Sequence, residues 1–81
     1  SLDSYHSTSK GWINAQLADN GNFISDYAKK YPKREDIAET FPLCFALEFK
    51  RDRLEDEVIQ KIENAIPNRI KYCLSVFENN N

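Results

Sequence analysis

The stretch Lys33–Phe49, KREDIAETFPLCFALEF, decides the fold. Ile37, Phe41, Cys44, Phe45 and Glu48 recur at i, i+4, i+7, i+8 and i+11, the spacing of one helix face. Pro32 disfavours helix at Tyr31, so the helix is expected to begin near Lys33. Pro42 lies inside it. Proline has no N–H and its ring meets the carbonyl four residues back, here Ala38. A kink at Pro42, or a break into two pieces, is therefore expected.

Toward the C-terminus, Asp52 is positioned to cap a further helix, with Glu55 at the capping-box position. Glu55, Asp56 and Glu57 crowd the first turn, where the helix dipole favours acids. Leu54, Val58, Ile59, Ile62 and Ile66 form its apolar stripe, and Glu57 and Lys61 make an i, i+4 ion pair. Pro67 suits the first position of a last helix, lined inward by Ile70, Cys73, Leu74 and Phe77. Residues 78–81 read as a frayed tail.

Toward the N-terminus the pattern weakens. Phe23–Tyr31 reads as a short extended piece leading into one helical turn capped by Ser25. Asp19-Asn20-Gly21-Asn22 is a turn, because Gly and Asn accept positive φ cheaply. Ser9–Asp19 reads as a helix capped by Ser9 and anchored in the core by Trp12, with Ala15 and Ala18 on the same face. Gly11 weakens its first turn. Residues 1–8 read as a polar, flexible lead-in.

The chain has 81 residues, room for one domain and not two. Two Gly and three Pro argue for helices over a turn-rich β fold. The expected fold is all-α: a small, irregular bundle of about four helices with one Pro kink. No run of about 20 apolar residues exists to span a membrane. Residues 1–20 lack the apolar core of an export leader. A net charge of −2 argues against a dedicated nucleic-acid partner.

Three features bear on chemistry. Glu35 and Glu39 are four apart, so both carboxylates leave one helix face. Such a pair repels by a few tenths of a kcal/mol. By spacing alone it is more commonly an exposed acidic helix start, and it also fits a metal ligand with a supporting partner. Cys44 and Cys73 fall on apolar faces, as buried thiols or as a disulfide joining two helices. His6 has no His, Cys or Asp neighbour arranged for metal binding and reads as a loose residue. The basic run around Tyr31, KKYPKR, is followed at once by acids that offset it and reads as a solvated loop.

EDIAETF, preceded by FISDYAKKYP, resembles the third-ligand region of gluzincin zinc metallopeptidases. It resembles anthrax lethal factor-like catalytic domains, and secreted bacterial zinc peptidases of uncharacterised type more closely than those. The tail AIPNRIKY resembles the closing helix of the secreted group. The resemblance spans roughly residues 9–77. It implies that Glu35 is the third zinc ligand and that Glu39 supports it by hydrogen bonding. It implies an oxyanion-stabilising role for Tyr27, with Tyr31 as a fallback because the Tyr27-to-Glu35 spacing is one residue longer than in the lethal factor pattern. It further implies a zincin C-terminal subdomain, a secreted compartment, a peptide or protein substrate, and amide hydrolysis assisted by zinc.

The sequence also departs from that family. No HExxH occurs, and with it two ligands and the general base are missing. The chain is therefore expected to be the C-terminal portion of such a domain, inactive alone. Zinc belongs to the complete parent and none is expected for this chain. Its expected partner is the HExxH-containing N-terminal half. A second reading, from another class, is a small helical interaction module without catalytic activity, holding a partner segment in an apolar groove.

Overall fold

The structure, a computed structural model, describes residues 2–79, with side chains from residue 5 onward. The Lys33–Phe49 stretch is helical but begins two residues late, at Glu35. The Tyr31 carbonyl accepts the N–H groups of Arg34 and Glu35 at 3.2 and 2.9 Å, so the chain turns once more before the helix starts. Pro42 does not break it: Glu35–Phe49 is one continuous helix. Pro42 is exposed, so water can serve the carbonyl it leaves unpaired.

The elements run α1 Leu2–Ser7, α2 Lys10–Ala18, α3 Asp26–Lys30, α4 Glu35–Phe49, a 3-10 turn Arg51–Arg53, α5 Asp56–Ala65 and α6 Pro67–Asn79. The described residues contain no strand. The all-α expectation stands, with six helices among the described residues in place of about four. The extra ones are short. The expected lead-in folds as α1, and the single turn after Ser25 counts as α3. Glu78 and Asn79 still belong to α6, while 80–81 of the expected tail lie outside the described residues.

Local chemistry sets most boundaries. Ser9 Oγ accepts from Trp12 N at 3.2 Å and Ser25 Oγ from Ala28 N at 3.0 Å, so both serines cap as expected. Asn20 and Gly21 take φ of 57° and 80° in the turn that ends α2. Asp52 does not cap: it sits within the 3-10 turn, and the residue preceding α5 is Glu55. Leu54 explains the shift. It is extended (φ −102°, ψ 140°) and packs against the core, which places a non-helical residue between Asp52 and the helix.

α4 and α6 pack together at the centre. α2 and α5 lie against α6, and α1 and α3 against α4. Trp12, Ile37, Phe41, Leu47, Ile59, Ile62, Ile66 and Ile70 form the apolar interior. Gly11 has a purpose beyond helix propensity: a Cβ there would lie 2.6 Å from the Tyr72 ring, so glycine allows α2 and α6 their close approach. His6 is not loose. Its ring bonds the Tyr72 hydroxyl and packs on Phe41, holding α1 to the bundle.

Of the two alternatives for the cysteines, the structure has the disulfide. Cys44 on α4 is joined to Cys73 on α6, and both are fully buried. The link crosses the central helix pair of a chain short enough to be marginal on burial alone.

Candidate functional site

The Glu35–Glu39 motif opens α4, and each of its acids has a different fate. Glu35 Oε1 meets the neighbouring Arg34 Nε at 3.1 Å near the surface. Glu39 Oε1 accepts from Ser25 Oγ at 2.7 Å, which ties α3 across the first turns of α4. Tyr27, on α3, is half exposed and sits edge-on to Tyr31 at 5.1 Å. The carboxylates expected to act on a metal are thus each held by a cation or a hydroxyl within this chain. Among the described residues no group of three or more His, Cys, Asp or Glu side chains is placed to hold a metal ion.

The acid between them is buried. Asp36 Oδ2 lies 2.9 Å from Arg69 Nε and accepts from Gln16 Nε2 at 2.7 Å. Arg69 Nη1 also donates to Asp19 Oδ2 at 3.1 Å and to the Asn22 carbonyl at 2.8 Å, and its guanidinium lies over the Phe23 ring. Asp19 in turn caps α6 from a distance: its carboxylate accepts the N–H groups of Asn68 and Arg69 at 2.9 and 3.1 Å. One guanidinium thus joins the end of α2, the start of α4 and the start of α6. Burial pushes the Asp36 carboxyl above its ordinary range, against the opposing pull of Gln16 and Arg69.

Sequence reasoning passed over this hub, although it left a signal. Arg69 stands in the first turn of a helix and Asp19 at the end of one, each the wrong sign for the local dipole. Two unfavourable placements make sense when they satisfy one another.

α4 has a second feature. Its buried residues are Asp36, Ile37, Thr40, Phe41, Cys44 and Leu47. Its opposite face presents Ala38, Pro42, Phe45 and Phe49, spaced four, three and four apart as in a helix-packing seam. Phe45 and Phe49 remain 49% and 48% exposed. Their ring centroids lie 4.8 Å apart, and each is 6.2 Å from Phe77 of α6. From Phe41 to Phe49 the only charge is Glu48, so both faces of this segment are apolar. A helix apolar all round is normally buried all round.

These two arrangements differ in what they can do. The hub is inaccessible and internally paired, which suits holding helices in place. The outer seam of α4 is accessible and apolar, which suits excluding water against another surface, at about 25 cal/mol per Å² covered. The chain matches no protein-family model, no curated protein and no solved structure.

Proposed function

We propose that this chain is a small helical interaction module that docks another polypeptide surface on the outer face of α4. The observation that carries this is the pair of exposed rings, Phe45 and Phe49, set against half-buried Phe77 of α6 on a helix already buried on its other side. Clustered exposed aromatics mark contact surfaces, where lone ones do not. Footprinting tests it: hydroxyl-radical labelling of Phe45 and Phe49 is high in the purified chain and falls several-fold in the native gene product in its source extract. Equal labelling in both settings rules out docking at this face.

The gluzincin reading is a special case, in which the docked surface is the HExxH half of the same domain. The packing of α3, the helix that contains Tyr27, against α4, the helix that contains Glu35 and Glu39, is what supports this reading. Glu35 would then exchange Arg34 for zinc, and Tyr27 would donate to the oxyanion. In a longer gene product that contains HExxH, Glu35→Gln should lower bound zinc. Unchanged zinc content removes Glu35 from that role. The buried disulfide supports the secreted compartment implied by the resemblance, because cytosolic thiols are kept reduced.

A further inference from the structure

We propose that the cleft between α2 and the Tyr31–Arg34 loop binds a carboxylate carried on an apolar stem. The cleft has a volume of about 390 Å³ and is lined by Ser7, Thr8, Ile13, Gln16, Pro32 and Lys33. That volume is at the low end for small-molecule sites. Ile13 and Pro32 supply apolar walls. The loop is fixed in place by Gln16, whose Nε2 donates to the Pro32 carbonyl at 2.9 Å and to Asp36 Oδ2 at 2.7 Å. The site is therefore built on the buried hub and does not depend on a free loop.

The cleft is lined by one cation, Lys33; Lys30 and Arg34, on either side of it in sequence, lie against the Tyr31 ring and do not line the cleft. In sequence, the acids that follow would offset these charges. In the fold none of them is paired with Lys33: Asp36 meets Arg69, Glu39 meets Ser25, and Glu35 meets Arg34, whose charge it offsets. Among the described residues Lys29, Lys30 and Lys33 make no ion pair. One ammonium in an apolar slot cannot desolvate a polyphosphate, but it matches a single carboxylate. The hydroxyl of exposed Thr8 adds a polar contact at the same opening.

The test is a nuclear magnetic resonance titration of the intact chain with octanoate, and separately with a short peptide ending in leucine. These arms distinguish a free amphiphile from a peptide C-terminus, and saturable binding of either supports the site. Shifts should centre on Ile13, Gln16 and Lys33, weaken with salt, and be lost with octanol or acetate, which carry only the stem or only the charge. Lys33→Glu and Ile13→Asp, both at exposed positions, should each weaken binding at least about tenfold, a step of about 1.4 kcal/mol, with unchanged circular dichroism. Octanol binding as tightly as octanoate overturns the proposal. So do shifts centred on Phe45 and Phe49, or no saturation with either ligand by about 10 mM.

Discussion

The two faces of α4 reverse the usual arrangement of an amphipathic helix. The inward face carries a charge, Asp36, and a hydroxyl, Thr40, both fully buried. The outward face carries Phe45 and Phe49, both about half exposed. The inward face tolerates its charge because a guanidinium on α6 meets it there. The outward face leaves its aromatics half in water, since among the described residues Phe77 is the only ring outside α4 that packs against them. A buried charge met by an opposite charge is a packing feature, whereas half-exposed aromatics are what the proposed docking face rests on.

The largest test of that contrast is Arg69→Met. It strands Asp19 and Asp36 as unpaired buried acids, and should cost about 3–5 kcal/mol. Small proteins have about 5–15 kcal/mol in all, so urea unfolding should become shallow or disappear. A loss below about 1 kcal/mol would show that charge does not hold the inward face.

Next is the disulfide. Cys44→Ala with Cys73→Ala should lower stability by about 3 kcal/mol, read as a lower urea midpoint. Both sulfurs are buried, so reduction of the native chain should be slow and speed up as urea opens the fold. Fast reduction without urea would mean that the α4–α6 contact is already open.

Smaller is the outward face. Phe45→Ser with Phe49→Ser should cost under about 1 kcal/mol together, as surface changes do. Truncating buried Phe41, one turn earlier, should cost several times more. If the two costs match, the outward aromatics belong to the core and the docking face is lost.

The smallest effect is in the pH profile. The native Asp36 carboxyl is raised above 3.8, so protonating it favours the folded state. Its contribution is fully present below about 3.8 and is lost as pH rises through the native value. Relative to Asp36→Asn, the wild type should therefore gain stability as pH falls from neutrality. A difference that stays flat with pH would mean that Asp36 is not desolvated.

How much could be read from the sequence follows the distance over which each feature is decided. Ser9, Ser25 and the Asp19–Asn22 turn act within four residues and behave as the sequence implies. Asp52 fails as a cap because Leu54 is drawn to the core, a contact that no local pattern records. α1 is missed because its hold comes from Phe41 and Tyr72, distant in the chain. Glu35 and Glu39 were singled out by spacing, but their fold partners are Arg34 and Ser25, and the acid with the unusual environment is Asp36.

By itself, the sequence determined that the chain is helical, that Ser9 and Ser25 open α2 and α3, and that Pro67 opens the last helix. Those outcomes depend on backbone geometry and on hydrogen bonds made within a turn or two. Only the tertiary structure decided which side of α4 turns inward, whether the cysteines meet, and which acids Arg69 neutralises. A helix segment apolar on both faces has no unique inner side by periodicity. The choice falls to the neighbours that can pair the buried charge, and here that neighbour is α6.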